Sequence, residues 1–275
     1  MPSCIFASMK YSLLLLILAG SCVWSADSTD LDYRLNRQSL SAFINDACDY
    51  FAAPLRIRES DLPAIVLTIG TTAALFTLDQ PVQDWVQENR HAGTDLVFRL
   101  ASEFGDGDVL APVLASVYMS GYMFDAVRVR RFAFVALESL AFNGAVNSSL
   151  KILCHRHRPD SRDPSDIWDG PALSSRNVSF PSGHSYAAFS VAAVAAWEFR
   201  DARWAPPLAY SLATLIALSR VNNNKHWASD VFFGSSLGYW GARTVIASHE
   251  RRTERRMGLM PTFPGAPGIA AFLRF

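Results

Sequence analysis

The feature that most constrains the fold is a series of apolar segments, each of helical length and separated by polar connections. They span residues 62–78, 109–124, 132–150, 185–199, 207–218 and 231–247. Pro63, Pro206 and Pro207 lie where helices would begin, and a proline in the first turn loses no backbone hydrogen bond. Most segments are shorter than the roughly 20 residues that cross a bilayer, and Asn143 and Arg243 interrupt two of them. We therefore expect an all-α helical bundle of about six core helices rather than a set of membrane spans.

The chain divides by composition into segments of different character. We predict an export signal at residues 1–26, a polar segment with helical periodicity at residues 27–61, the helical bundle at residues 62–248, and a tail at residues 249–275. The tail is first basic and then rich in glycine and proline, and residues 269–275 are apolar enough to form a strand. Length and composition thus favour one domain with an appendage at each end.

The start of the chain is typical of a secretory signal. Lys10 is the only charged side chain before Asp27, and it precedes an apolar run at residues 11–19 that is too short to cross a bilayer comfortably. Small residues follow this run, so we expect cleavage after Ser25 or Ala26.

Two alternatives to cleavage stay open, and they affect the cysteines. The segment could remain as an uncleaved membrane anchor, or Cys22 could carry a lipid, although Ala19 stands where a larger aliphatic residue is expected. If the signal is removed, Cys48 and Cys154 are the only thiols of the mature chain, in an oxidising compartment. The sequence does not decide whether they form a disulfide or stay as two buried thiols.

The charge balance excludes one class of partner. The chain has 25 Lys+Arg and 25 Asp+Glu, which gives a formal net charge of zero. Tracking nucleic acid phosphates requires a basic excess, so we expect no nucleic acid partner. Hydrophobic residues make up 50% of the chain, which is ample for a core and excludes a disordered protein.

Three polar clusters fall in the connections between the apolar segments. They occupy residues 151–159, 181–184 and 219–230. Antiparallel helices joined by short loops alternate in direction, so the end of the third segment, the start of the fourth and the junction of the fifth with the sixth share one face. We therefore expect all three clusters to meet at one end of the bundle.

The residues of these clusters suit an oxyanion. Lys151, Arg158 and Arg220 supply three cationic side chains, and guanidinium groups make bidentate contacts to phosphate. Ser182 and Gly183 precede a predicted helix, where backbone N–H groups and the helix dipole attract an anion.

Two histidines and a carboxylate complete the site. His226 and Asp230 lie four residues apart near a helix start, close enough for Asp230 to fix the imidazole tautomer and leave the other nitrogen nucleophilic. His184 is the second histidine and is suited to act as an acid. Together with the cations, these groups constitute a metal-free site for phosphoryl transfer.

The same residues form a recognisable pattern. The motifs Lys-x6-Arg-Pro, Pro-Ser-Gly-His and Ser-Arg-x5-His-x3-Asp occur in this order. This pattern resembles the signature of the type 2 phosphatidic acid phosphatase superfamily, which also contains bacterial acid phosphatases and vanadium haloperoxidases. The resemblance covers about residues 132–247, and every signature position is intact.

The resemblance implies a role for each signature residue. His226 would attack phosphorus to give a phosphohistidine, and Asp230 would orient and charge its imidazole. His184 would protonate the leaving alkoxide and then activate water. The phosphoryl oxygens would be held by Lys151, Arg158, Ser182, Gly183 and Arg220. The resemblance implies no cofactor and no metal ion.

The function expected on this basis is a phosphatase that hydrolyses phosphomonoesters. A lipid phosphate or an isoprenoid diphosphate is the preferred substrate, because apolar helices surround the site. A small soluble phosphomonoester, as in acid phosphatases, is the near alternative. A haloperoxidase with vanadate bound at His226 is the more distant one, and intact catalytic positions disfavour an inactive scaffold.

The arginines at the other end of the bundle raise a question of topology. They are Arg128, Arg130, Arg131, Arg200, Arg203, Arg251, Arg252, Arg255 and Arg256. In a membrane-spanning bundle this asymmetry would place the catalytic face outside the cytoplasm. Six crossings after a cleaved signal would place that face inside. We therefore expect an exported domain of the cell envelope, periplasmic or resting on a membrane.

Other polar features are expected to be structural. His155 and His157 flank the phosphate-binding residues but occupy no signature position. The acidic loop at residues 160–169 lacks the glycine and the bidentate glutamate of a calcium loop, so we expect it to be solvated or to gate the pocket. Residues 103–108 are expected to form a turn that caps the second long helix.

Overall fold

The computed structural model describes residues 33–174, 176–256, 259–261 and 269–271. The predicted export signal and its cleavage site lie outside these residues. The described chain contains eight α-helices: α1 Arg37–Ala52, α2 Leu62–Glu88, α3 Ala92–Glu103, α4 Gly107–Met123, α5 Val127–Cys154, α6 Gly183–Glu198, α7 Ala205–Asn222 and α8 Ala228–Arg256. Short 3₁₀ turns occupy Ala53–Arg56, Glu59–Asp61 and Pro159–Ser161. Two short strands, β1 Leu259–Pro261 and β2 Ile269–Ala271, pair antiparallel.

The predicted all-α fold is confirmed, and each of the six apolar segments corresponds to one helix, with Phe124 and Phe199 as C-cap residues just past the ends of two of them. The helices extend beyond the apolar runs because polar residues continue the helical backbone at their ends. The last one, α8, runs past residue 248 to Arg256. The predicted capping turn is also present, since the Asp106 side chain accepts a hydrogen bond from the Asp108 N–H at the start of α4.

The core lies where α5, α6 and α8 pack against one another. Small residues let these helices approach closely: Ala133 and Ala136 on α5, Ala187 on α6 and Ala242 on α8 are all buried. A Cβ on Gly238 of α8 would overlap the Tyr186 backbone of α6, so glycine is required at this contact. This tight packing fixes the relative positions of the helix ends that carry the predicted site.

The helix α2 departs from the expectation that the apolar segments form the core. The stretch Glu59–Glu88 is the one part of the described chain that is long and apolar enough to cross a membrane, and 6% of its most apolar window is buried. Val66 and Leu67 point outward, while the buried residues of the helix are Thr72, Asp79 and Gln83. The prediction was wrong for this segment, because α2 packs on the bundle through its polar side.

The N-terminal helix α1 is joined to the bundle by a buried ionic cluster. His249 Nε2 of α8 lies 2.6 Å from Glu138 Oε2 of α5 and 3.5 Å from Asp46 Oδ2 of α1. Arg252 pairs with Asp46, and the Tyr33 hydroxyl lies 3.2 Å from His249 Nδ1. Buried carboxylates need such partners, so this cluster specifies where α1 docks.

The cysteines remain free thiols. Cys48 is exposed on α1, and Cys154 is half-buried at the end of α5. The sequence left open a disulfide or two buried thiols. The structure has no disulfide between Cys48 and Cys154, and neither thiol is fully buried.

Candidate active site

The three polar clusters meet at one end of the bundle, as the alternation of helix direction predicts. Lys151 Nζ, on the last turns of α5, donates to the Val178 carbonyl at 2.6 Å. The Ser182 N–H, before α6, donates to the Asp230 carbonyl in the first turn of α8 at 3.1 Å. The connection between α7 and α8 places His226 against the same segment, residues 178–182.

His226 is buried with one ring nitrogen engaged. Its Nδ1 lies 2.7 Å from the Ser179 carbonyl, an oxygen that only accepts, so Nδ1 carries the proton. Burial lowers the pKa of His226 to about 3, and the nearby Lys151 and Arg158 act in the same direction. The imidazole is therefore neutral near pH 7, and Nε2 keeps its lone pair for an electrophile.

Asp230 does not hydrogen-bond directly to His226, contrary to the geometry expected from their spacing. Its Oδ2 lies 3.9 Å from His226 Nδ1, which exceeds hydrogen-bond distance. The i,i+4 rule applies within a helix, whereas His226 precedes the start of α8 at Ala228. The carboxylate instead accepts from the Ser179 hydroxyl and the Trp227 N–H. Ser179 therefore connects the two groups: its carbonyl orients the imidazole and its hydroxyl binds the carboxylate.

Arg156 organises this part of the site, and sequence reasoning missed it. The side chain is 1% exposed, and its guanidinium pairs with Asp230 and with Asp79 of α2, each at 2.6 Å. Ser229 binds both Arg156 and Asp79. The rings of Phe76, Trp168 and Trp227 surround the guanidinium. Asp79, directly after the apolar segment at residues 62–78, was the signal that could have revealed this network.

The three predicted cations form a cradle without counter-ions. Within the described part of the chain, Lys151, Arg158 and Arg220 have no carboxylate at ion-pair distance. Arg220 donates to the Ser102 hydroxyl, while its Nε is buried without a partner. Burial and neighbouring cations lower the pKa of Lys151 to about 8 and that of Arg220 to about 10. Unpaired positive charge of this kind is stabilised by an anion.

His184 lies in the first turn of α6, beside the turn between α3 and α4. A Cβ on Gly105 of that turn would lie 3.1 Å from the His184 side chain, so glycine allows the close approach. Burial, with a smaller contribution from Arg220, lowers the pKa of His184 to about 4, and Asp106 opposes both. Since cations dominate its surroundings, an anion bound in the cradle would favour its protonation.

The residues before α6 only partly match the expected anion site. The Ser182 side chain caps the helix, and its N–H is used by the Asp230 carbonyl, so that N–H is not free for a phosphoryl oxygen. Gly183 faces open space, with nothing within 4 Å of an added Cβ. Gly183 is therefore the residue of this motif whose backbone is open to a ligand.

The acidic loop is held in place by histidine and lysine side chains. His157 lies 2.6 Å from Asp163 and 3.1 Å from Asp169, and the hydrogen bond to Asp163 is the main cause of its raised pKa. His155 bonds to two backbone carbonyls. Lys225, beside His226, pairs with Asp160 at 2.7 Å. The loop is thus tied to the edge of the site through its acidic groups.

Comparisons with known proteins identify a similar family and similar proteins. Residues 132–254 match the family model of the PAP2 superfamily. The lipid A 1-phosphatase of Porphyromonas gingivalis is 29% identical over 180 residues, which cover 61% of this chain and 36% of that protein. The chain therefore spans about a third of the length of this curated relative.

Two solved structures are similar to parts of this chain. A transmembrane PAP2 type phosphatidylglycerolphosphate phosphatase from Bacillus subtilis superimposes with a TM-score of 0.54 at 19% identity, covering 70% of this chain and 98% of that one. Aquifex aeolicus LpxE has a TM-score of 0.46 at 20% identity, covering 62% and 95%.

The fold is a PAP2-type helical bundle with a cationic site at one end. Residues 132–254 match the PAP2 superfamily, so the resemblance inferred from the three motifs is confirmed over that stretch.

We predict that Asp79→Asn destabilises the protein strongly, because it removes one of two carboxylates from a buried guanidinium. Breaking a buried ion pair on one side costs about 3–5 kcal/mol. Asp84→Asn on the same helix is the matched control, since Asp84 is exposed and accepts a hydrogen bond from Gln80. Thermal and denaturant unfolding of the purified variants measures the difference, and equal stabilities would contradict the anchoring of α2 by Arg156.

Proposed function

We propose that this protein is a metal-independent phosphatase that hydrolyses lipid phosphomonoesters through a phosphohistidine intermediate. The observation that carries the proposal is the neutral, buried His226 beside three cations that lack carboxylate partners. A phosphoryl group supplies what this arrangement lacks: negative charge for the cations and an electrophilic phosphorus for Nε2.

In the first half of the reaction, the Nε2 lone pair of His226 attacks phosphorus and the bond to the leaving oxygen breaks. His184, as the imidazolium, gives its proton to that oxygen, so an alcohol leaves. The Nδ1–H of His226 stays hydrogen-bonded to the Ser179 carbonyl, so the phosphorylated ring is cationic. The carboxylate of Asp230, 3.9 Å away, stabilises this charge without taking the proton.

In the second half, the neutral His184 accepts a proton from water, and the oxygen of that water attacks phosphorus. The bond between phosphorus and Nε2 breaks, phosphate is released, and His226 returns to the neutral form. Lys151, Arg158 and Arg220 hold the charge that develops on the phosphoryl oxygens in both steps, with Gly183 at the entrance. Losing one such contact typically lowers the rate about 10²–10³-fold.

Arg156 acts as a positioning residue in this scheme. Arg156 contacts Asp230 and none of the three cations of the cradle. The carboxylates of Asp79 and Asp230 carry two negative charges against the one positive charge of Arg156, so one net negative charge remains beside His226. This charge favours the phosphorylated, cationic imidazole over the neutral one. The network thereby offsets part of the positive field from the cradle.

A lipid substrate is supported by the apolar surface next to the site. Helix α2 presents apolar residues outward, and α3 does the same with Leu96, Val97 and Leu100. Such extended apolar faces mark contact with a membrane or another apolar partner. The relative from Porphyromonas gingivalis acts on a lipid phosphate by name. These surfaces favour a lipid over a soluble phosphomonoester.

We also propose a membrane location with the catalytic end outside the cytoplasm. The apolar face of α2 would contact lipid on the outer side of a membrane. Fractionation of cells that express the full chain tests this. We expect the protein in the membrane pellet after a high-salt wash, and recovery in the soluble fraction would contradict the proposal.

We predict that His226→Ala lowers phosphate release from a lipid phosphate by at least about 10³-fold, because the nucleophile is lost. The wild-type protein should release phosphate in the presence of a chelator, since no step uses a metal ion. Brief incubation with substrate labelled on phosphorus should transfer label to the wild-type protein and not to the variant. Label that is stable to base and labile to acid indicates phosphohistidine, and loss of activity with chelator would contradict metal independence.

We predict that His184→Ala slows hydrolysis of alkyl phosphates far more than that of nitrophenyl phosphate, which needs no proton on its leaving group. Bound phosphate raises the pKa of His184 from about 4 in the free protein because the anion favours imidazolium. With an alkyl substrate, wild-type kcat should therefore fall as pH rises through the pKa of the complex, as the acid form disappears. Equal losses on both substrates would contradict the acid role.

A further inference from the structure

The buried ionic cluster that joins three helices lies far from the catalytic end. Its acidic and imidazole members are Asp46 of α1, Glu138 of α5 and His249 of α8, each between 1% and 3% exposed. His249 follows Asp230 by 19 positions along α8. At 1.5 Å per residue this separation is about 29 Å, so the catalytic scheme uses none of the three side chains.

The side chains of this cluster converge closely enough to share one ion. His249 Nε2 lies 2.6 Å from Glu138 Oε2 and 3.5 Å from Asp46 Oδ2, and one ligand atom from each residue lies within 4.8 Å of the others. Tetrahedral ligands of Zn²⁺ lie about 3.3 Å apart. Asp46 and His249 already have this spacing. Glu138 and His249 are at hydrogen-bond distance, and they separate by about 0.7 Å when a metal ion replaces the proton between them.

Glu138 has an oxygen that its surroundings do not satisfy. Its Oε2 is bonded to His249, whereas its Oε1 is buried and has no hydrogen-bond partner among the residues that the structure describes. A buried carboxylate oxygen without a partner is unfavourable. Because the other oxygen of the same carboxylate faces His249, Oε1 lies beside the cluster and is available to a cation there.

The charges of the cluster do not balance. Asp46 and Glu138 carry two negative charges, while Arg252, which pairs with Asp46, supplies one positive charge. Burial lowers the pKa of His249 to about 4, so its imidazole is neutral near pH 7. The Arg252 side chain is partly exposed and can turn to solvent. With Arg252 turned outward, one divalent cation balances both carboxylates.

His249 has the partner that a metal-bound histidine needs on its other nitrogen. Its Nδ1 lies 3.2 Å from the Tyr33 hydroxyl. A hydroxyl oxygen can accept as well as donate, so Tyr33 accommodates the tautomer with the proton on Nδ1. In that tautomer Nε2 keeps a lone pair for the ion, and a hydrogen bond of this kind orients the ring.

We propose that Asp46, Glu138 and His249 form a binding site for a divalent transition-metal ion such as Zn²⁺, which fastens α1 to α5 and α8. One imidazole nitrogen and two carboxylates suit Zn²⁺, whereas Mg²⁺ and Ca²⁺ prefer oxygen ligands alone. The ion displaces the Nε2 proton and Arg252, and water completes its coordination. Its role is structural, so the inference does not depend on the proposed phosphatase activity.

Metal binding to the full chain in detergent tests the site. The protein is treated with a chelator, the chelator is removed, and Zn²⁺ is added in equilibrium dialysis. We expect one Zn²⁺ per chain and an affinity at least about 100-fold lower in Glu138→Gln, because losing a ligand costs more than losing a group that supports one. The control Asp49→Asn removes a partly exposed carboxylate of α1 and should leave the affinity unchanged. Wild-type affinity in Glu138→Gln would overturn the site, as would binding that only His157→Ala abolishes.

Arg252→Ala tests the same site without removing a ligand, in case Glu138→Gln does not fold. We expect this variant to unfold at a lower temperature without metal, to bind Zn²⁺ about tenfold more tightly because Asp46 is freed, and to regain stability with Zn²⁺. Arg251→Ala, which removes the exposed neighbour facing Asp49, should leave the affinity unchanged. Lost stability without gained affinity would overturn the site. The cluster would then be neutralised by a proton on Glu138, whose pKa burial raises to about 7.

Activity and stability measured together separate this inference from the phosphatase proposal. Zn²⁺ should raise the unfolding temperature of the wild-type protein and leave phosphate release at 25 °C unchanged. Binding of Zn²⁺ without phosphate release from any lipid would support the site and contradict the phosphatase. Binding that leaves the unfolding temperature unchanged would overturn the fastening of α1 by the ion.

Discussion

The structure of the catalytic end depends on one buried guanidinium. Arg156 lies between Asp79 of α2 and Asp230 of α8, and three aromatic rings exclude water from it. A buried cation is tolerated only when it is paired, so these contacts fix the loop after α5 relative to both helices. Through Asp230 and Ser179 the same contacts set the position and tautomer of His226.

Opposite this paired charge lies a group of cations that the fold leaves unpaired. Lys151, Arg158 and Arg220 repel one another: burial is the main cause of the lowered pKa values of Lys151 and Arg220, and the neighbouring cations act in the same direction. The tightly packed helices around Ala133 and Ala187 hold them there. A preorganised positive field of this kind stabilises a transition state more than water does, because it needs no reorganisation when charge develops.

Helix α2 contacts the catalytic end through one face and exposes an apolar surface on the other. Its polar side points inward, where Asp79 meets Arg156 and Gln83 bonds to the connection after α7, while its apolar side points outward. This polarity is the reverse of that of a surface helix in a soluble protein. A helix of this kind is stable when its outer face is covered by lipid or by another apolar partner.

The sequence by itself determined the all-α fold, the resemblance to the PAP2 superfamily and the convergence of three motifs, because these follow from helical periodicity, residue spacing and the alternation of helix direction. Only the tertiary structure decided that Arg156 and Asp79 support Asp230, that Ser179 rather than Asp230 bonds to His226, and that α2 turns its apolar face outward. Spacing along a chain fixes neighbours within a helix, as Asp106 and Asp108 illustrate. Contacts between helices depend on how each helix is rotated against the others, and packing of the whole bundle sets that rotation.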